Sequence, residues 1–355
     1  MRRDLVVAGG GPVGLATALY AARAGLDVVV REPRRGVIDK ACGEGLMPAA
    51  VAGLLDLGVR LGGHRIDGIR YVAPGHVAEA RFREGPGRGV ARTELHAALR
   101  DAVTAAGIPV EHRPVEAVED RGDHVLVDGE PSRYLVAADG LHSPVRQLLG
   151  LDGPPGARRR YGLRCHVDTT PWTSFVEVHW SPAGEAYVTP VGEHRVGVAV
   201  LCRRGRFEDL LAGFPALAAR LRDLPQSRVR GAGPLRQRSS ARVRGRSLLV
   251  GDAAGYVDAL TGEGIAAGVA QAREAVAALV AGDPASYERT WRQMTRRHDL
   301  LTLGLLTATR HRLLRTRIVP VASALVPPVS AVAPPTPTST PTPAPIPASI
   351  PAPSA

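Results

Sequence analysis

Gly9, Gly11 and Gly14 follow the apolar run Asp4 to Ala8 at the spacing G-x-G-x-x-G. The first glycine permits a tight turn, the second lets backbone approach a pyrophosphate, and the third lets the next helix pack on the strand. Glu32 ends the next apolar run, Asp27 to Arg31, where a carboxylate accepts from ribose hydroxyls. Two more acid–glycine pairs follow apolar runs: Asp139-Gly140 after Tyr134 to Ala138, and Gly251-Asp252 after Ser247 to Val250. Beyond the last, Gly262-Glu263-Gly264-Ile265 opens a long Ala-rich stretch. A helix start there favours negative charge by roughly 0.3–2 kcal/mol. In this order the motifs outline one extended pocket for a dinucleotide.

Such residues need a strand–turn–helix frame. A helix is predicted from about Pro12 to Ala24, with Gly25 as its cap. Its free N–H groups and positive dipole end would face the phosphates. Asp139-Gly140 lies between a buried-type strand and a helix opening near Ser143, where a parallel sheet presents its binding loops. Between the second and third motifs the pattern changes to period two. Tyr161 to Asp168, Phe175 to Trp180, Glu185 to Pro190 and Arg195 to Leu201 read as an antiparallel sheet roofing a substrate pocket. His179, Trp180 and Tyr187 are its candidate pocket residues.

With 355 residues and 45% hydrophobic content, the chain can hold two modest domains and a tail. The net charge is +11, but Lys40 is the only lysine, and abundant Ala, Gly and Pro accompany the arginines. This composition reads as GC-rich coding bias. No nucleic-acid-binding motif goes with the charge, so nucleic acid is not an expected partner. Cys42, Cys165 and Cys202 form no CxxC pair, which suits a reducing cytoplasm and suggests no metal site. Arg2 and Arg3 precede an apolar run too soon broken by glycines to read as a secretion signal. Residues 285–325 read as an amphipathic helical segment. Tyr287, Trp291, Met294, Leu301 and Leu305 recur near helical spacing, with Arg289, Arg292, Arg296 and Arg297 off that face. Two readings stand: packing on the body, or peripheral contact with a membrane through a basic helix. Residues 326–355 alternate Pro with Ala, Thr and Ser, a disordered composition.

The three motifs resemble those of FAD-dependent oxidoreductases of the para-hydroxybenzoate hydroxylase and geranylgeranyl reductase type, over about Asp4 to Val280. The resemblance implies an α/β fold: a Rossmann-type three-layer FAD-binding domain with an inserted mixed or antiparallel β-sheet substrate domain. The expected division is 1–68, 88–158 and 235–284 for FAD, and 69–87 and 159–234 for substrate. It implies that Gly9, Gly11, Gly14 and Glu32 hold the ADP half of FAD. Asp252, beside Gly251, would hold the ribityl and pyrophosphate region, and Asp139 and Gly140 would lie near the pyrophosphate and the nicotinamide path. Arg92 matches an arginine that touches FAD, and Gly262, Gly264 and Ile265 would face the flavin ring.

Lys40-Ala41-Cys42-Gly43-Glu44-Gly45-Leu46 is similar to the K-x-C-G-x-G-L segment of the reductase branch, which implies that Cys42 lies close to the isoalloxazine. The isoprenoid reductases carry Y-x-W-x-F-P, where this chain has Glu185, Tyr187 and Thr189 before Pro190, so one ring remains. The leading expectation is therefore an FAD-dependent monooxygenase acting on a lipophilic or aromatic small molecule, with NAD(P)H as electron donor and dioxygen as co-substrate. A reductase saturating an isoprenoid or polyketide double bond is the alternative. A non-catalytic escort of prenylated clients is a third.

Overall fold

The computed structural model describes residues 2–154, 159–182, 184–259 and 262–296. The expected tail (326–355), Arg297, Leu301 and Leu305 lie outside them. Two large sheets organise the chain. In the first, strand Arg3–Ala8 lies between Val28–Arg31 and Glu130–Ala137, parallel to both, with Val7 beside Val30 on one flank and Val136 on the other. Ser247–Leu249 continues the sheet beyond Glu130–Ala137, and Val110–Glu111 extends it beyond Val28–Arg31, both parallel. Leu5 to Ala8 and Val28 to Val30 are buried throughout. A parallel strand covered on both faces has this uninterrupted apolar run rather than an alternation.

Helix Pro12–Arg23 leaves the first strand with Gly11 as its N-cap and Pro12 in its first position. Helix Gly264–Val280 crosses close beside it. A Cβ on Gly268 would lie 2.4 Å from a Val13 methyl, so the absence of that atom permits the approach. The turns at Gly9, Glu32, Asp139 and Gly251 leave from the C-terminal ends of parallel strands, where such sheets open a crevice.

The second sheet runs in the order Arg230–Ala232, Tyr161–Val167, Arg195–Cys202, Gly184–Gly192, Phe175–Ser181, Gly68–Ala73, His76–Arg81. Its pairs are antiparallel except Phe175–Ser181 with Gly68–Ala73, which makes the sheet mixed. Cys165, Val167, Ala186, Val188, Val198 and Val200 pack with Phe207, Leu211 and Leu217 from short helices on one face. Val178, Trp180, Tyr187 and Leu201 pack on the other face with Leu141 and Leu235. Strand alternation produces this split.

Residues 286–296 are helical, and Tyr287 and Trp291 join the main core while Arg289, Arg292 and Arg296 are exposed. Over these residues the apolar side is turned into the protein. Among the described residues no helix is long and apolar enough to cross a membrane.

Candidate dinucleotide and substrate site

The glycine loop is built as its spacing demands. Gly9 adopts φ +103°, and a Cβ there would meet the Ala138 carbonyl oxygen at 2.6 Å. Gly14 packs so tightly that a Cβ would sit 1.9 Å from the Gly9 carbonyl oxygen. Gly11 differs: nothing lies within 4 Å of its Cβ position. Gly9 and Gly14 fix the turn, and Gly11 faces open space where a ligand can approach the backbone. Glu32 is buried at the end of its strand, where its Oε2 accepts the Gly10 N–H at 2.8 Å and its Oε1 accepts from Arg34. Burial raises the pKa of Glu32, but the bonds from Arg34 and Gly10 outweigh it and hold the carboxyl below its ordinary value.

Asp139 and Gly140 adjoin this loop. Asp139 Oδ2 accepts the Val145 N–H at 3.0 Å, while Oδ1 is buried with no partner among the described residues. Burial pushes its pKa up, against opposing bonds from Ser143 and Val145. Asp252 lies 3.6 Å from Lys40 Nζ. Gly251 does not line the cavity. It turns the chain at φ +60°, with its N–H donated to Gln271 Oε1 at 2.8 Å, and so positions Asp252. Gly262, Gly264 and Ile265 line the cavity at the start of helix Gly264–Val280. Arg92, only 5% exposed, opens helix Arg92–Ala105 and has a buried Nη1 without a partner among the described residues.

These groups line one cavity of about 1160 Å³. Gly9, Gly11 and Glu32 line one part, and Trp180 and Tyr187 another. The volume exceeds the ~300–1,000 Å³ usual for a drug-sized ligand, leaving room for a dinucleotide and a second molecule. The open Gly11 cradle, the unpartnered Arg92 Nη1 and Asp139 Oδ1, and the helix start at Gly264 all fit FAD.

Cys42 lines the same cavity, and its Sγ accepts the Glu44 N–H at 3.4 Å. Burial pushes its thiol pKa up, so it stays protonated through the neutral range. The Gly43 carbonyl beside it accepts from Thr189 Oγ1 at 2.8 Å. The sheet position holding a ring in the isoprenoid reductases thus secures the cysteine segment here. Glu185, at another such position, is ion-paired with Arg160, which also pairs with Asp258. Tyr187 supplies the remaining ring, in a chamber with Tyr71, Val178, Trp180, Leu235 and Tyr256.

His179 is corrected. It turns to the opposite face of its sheet, where its Nε2 meets Glu177 Oε2 at 3.0 Å beside Trp172, in a separate groove. Trp180 follows it directly, and adjacent strand residues face opposite sides, so the two cannot share a chamber. Four groups went unforeseen. Tyr71 and Tyr256 line the chamber. His96 accepts the Ile38 N–H on Nδ1 at 3.2 Å and donates from Nε2 to the Gly10 carbonyl at 2.8 Å. Glu44 has a wholly buried side chain that receives the Arg92 N–H at 2.8 Å and His166 Nε2 at 2.8 Å, with Arg164 Nη2 at 3.6 Å. Glu44, His96 and Tyr256 sit inside or beside a motif and Tyr71 does not, and the partner of each lies far along the chain.

A sequence-family profile described as "FAD binding domain" matches residues 2–209. The menaquinone reductase of Mycobacterium tuberculosis (strain ATCC 25618 / H37Rv) is 34% identical, over 88% of this chain and 84% of its own length. The para-nitrophenol 4-monooxygenase of Pseudomonas sp. (strain WBC-3) is 29% identical, over 78% of this chain and 77% of its own. Among solved structures, the flavin-dependent brominase Bmp2 superposes with a TM-score of 0.75 at 17% identity, covering 91% of this chain and 94% of that one. The last likeness concerns the fold alone.

Proposed function

This chain belongs to the FAD-binding-domain family and is an FAD-dependent oxidoreductase, and on that footing we propose that it reduces a carbon–carbon double bond in a lipophilic substrate, with NAD(P)H as electron donor. One observation carries the reading over the alternatives: the Cys42 segment forms part of the cavity wall, its thiol protonated and its backbone pinned by Thr189. The relatives named menaquinone reductase support the same choice. Bound FAD supplies the two-electron transfer. The protein's part is placement. Gly11 and the N-terminus of helix Pro12–Arg23 take the pyrophosphate, Glu32 and Asp252 accept from hydroxyls, and Arg92 offers a buried cation. Tyr71, Val178, Trp180, Tyr187 and Tyr256 exclude water from the substrate. Cys42 Sγ holds the proton that saturation of the double bond consumes.

The monooxygenase reading keeps one specific support, the para-nitrophenol relative, together with a sheet that has lost two of three aromatic positions. Oxygen separates the two. A reductase charged with NAD(P)H turns over anaerobically on a quinone or polyprenyl substrate, whereas a monooxygenase stops without oxygen. Strictly oxygen-dependent product formation overturns the reductase reading, and a protein that stays colourless with added FAD overturns both.

A further inference from the structure

Lys40 is the one lysine among 45 basic side chains, and it lines the dinucleotide cavity rather than the outer surface. Its Nζ lies 3.6 Å from Asp252 Oδ2, and equally 3.6 Å from where a Cβ on Gly140 would stand. It therefore bridges the second and third binding turns. Those turns also meet the first: Gly9 abuts Ala138 and Asp139, and the Val13 side chain abuts Gly251. The ammonium thus stands between two turns that each pack against the glycine loop, and the helix Pro12–Arg23 that leaves that loop has neither a side-chain cap nor an acidic residue in its first turn. Resting on the FAD reading above, we propose that Lys40 is an exchangeable cation. It pairs with Asp252 until FAD binds, then swings to the FAD pyrophosphate and frees Asp252 to accept from a hydroxyl.

The pair geometry suits exchange. A distance of 3.6 Å is well beyond the roughly 2.7–2.9 Å of a charge-assisted hydrogen bond, and both side chains are about one-third exposed. Such pairs hold weakly in water. Glu32 is already paired with Arg34, but Asp139 and Asp252 line the same cavity and would repel a pyrophosphate, and a cation beside them lowers that repulsion. A lysine is the suitable one. An arginine's planar fork grips a carboxylate through two parallel bonds and would keep Asp252 occupied, whereas an ammonium is a point charge that moves readily between anions. In a chain that otherwise uses arginine throughout, the amine stands where release matters.

The test uses the full chain with FAD and after its removal. Reductive methylation with formaldehyde and cyanoborohydride reaches only Lys40 and the α-amine, which serves as the internal reference. Bound FAD is expected to slow Lys40 modification more than tenfold relative to that reference. Occlusion alone could do this, so FAD affinity is measured by fluorescence quenching in Lys40→Ala and Lys40→Arg, with circular dichroism to confirm folding. Losing a hydrogen bond to a charged group weakens binding roughly ten- to hundred-fold. Lys40→Ala should show that loss and a shallower salt dependence, and Lys40→Arg should recover less than half of it on a logarithmic scale. A Lys40→Ala loss below fivefold overturns the assignment, as does protection by NADPH without protection by FAD. Full recovery in Lys40→Arg overturns the exchange. Wild-type protein that takes up no FAD overturns the flavoprotein reading itself.

Discussion

Replacing Gly11 and Gly14 in turn by alanine separates what the glycine loop does for the fold from what it does for the ligand. Gly11 has φ −70° and nothing within 4 Å of its Cβ position, so alanine fits the flavin-free protein without strain. Such a change stabilises by about 0.4–1 kcal/mol, because the unfolded chain loses freedom. On the proposed placement of the pyrophosphate, however, the new methyl would stand between a phosphate oxygen and the backbone. Losing one hydrogen bond to a charged group is worth about 1.5–3 kcal/mol, so FAD should bind roughly ten- to hundred-fold more weakly. Gly14→Ala reverses the pattern. Its Cβ would lie 1.9 Å from the Gly9 oxygen and 3.0 Å from the Gly9 carbonyl carbon, so helix and turn must part by about 1 Å or more. Overpacking of this kind costs about 1–3 kcal/mol, which lowers Tm by roughly 2–10 °C in a protein of this size. Thermal unfolding of the flavin-free variants and FAD titration by fluorescence quenching read the two effects separately. A Gly11→Ala protein that binds FAD like wild type, or a Gly14→Ala protein of unchanged Tm, refutes the reasoning.

The chamber assignment predicts that Trp180→Ala lowers kcat/KM for a lipophilic substrate by at least about tenfold, since an apolar wall of that size contributes roughly 1.5–3 kcal/mol; His179→Ala, on the other face, leaves steady-state kinetics unchanged. Cys42 should react slowly with iodoacetamide at pH 7.5 and accelerate only above its ordinary value of 9.0; a midpoint below pH 8, read by peptide mass spectrometry, contradicts a raised thiol. Burial pushes the His96 pKa below 6.5, against the opposing pull of its bond to Gly10. The unfolded chain therefore takes up the proton first, and stability present above about pH 6.5 falls as pH drops towards the depressed folded value; in His96→Gln, urea titrations should show that segment flattened. Removing one member of a buried charge network costs about 3–5 kcal/mol, so Glu44→Ala should lose that much in urea unfolding, with Glu44→Gln falling between it and wild type.

What could be read from the sequence shares one property: its physical requirement is local. A turn that needs φ above zero needs glycine at that residue, and strands leading into such turns show as short apolar runs. The strands at 161–202 were visible because alternation is also local. Parity was not. Period two states that His179 and Trp180 face opposite sides, but which side is the chamber depends on how the sheet docks, and that is set by pairings such as Glu44 with His166, 122 positions apart. The same limit hid His96, which reads as an ordinary helix residue until Gly10 and Ile38, 86 and 58 positions away, are placed beside it. Tyr71 and Tyr256 reach one chamber from distant parts of the chain. The Y-x-W-x-F-P departure could be seen in the sequence, but its consequence could not: Thr189 holds Gly43, 146 residues earlier.

Glu44 shows why a cavity shared by two sheets needs a charged joint. Its backbone takes φ +60°, unfavourable for a residue with a side chain, and its carboxylate is wholly buried. A lone carboxylate there would be expelled or protonated. It stays because three residues from two elements converge on it: the Arg92 N–H from helix Arg92–Ala105, and His166 and Arg164 from strand Tyr161–Val167 of the second sheet. Arg164 is held in turn by Asp39, next to Lys40. Apolar contacts between the sheets would resist separation yet tolerate sliding, because dispersion and burial have little directionality. Hydrogen bonds to one carboxylate have fixed lengths and angles, so a slide of 1 Å strands a buried charge. The cysteine segment, through the Glu44 N–H to Cys42 Sγ, is tied to the same point. A single buried acid thereby sets the distance between the glycine loop and Arg92 on one side and the aromatic wall of Trp180 and Tyr187 on the other, the two parts that the proposed function gives to cofactor and substrate.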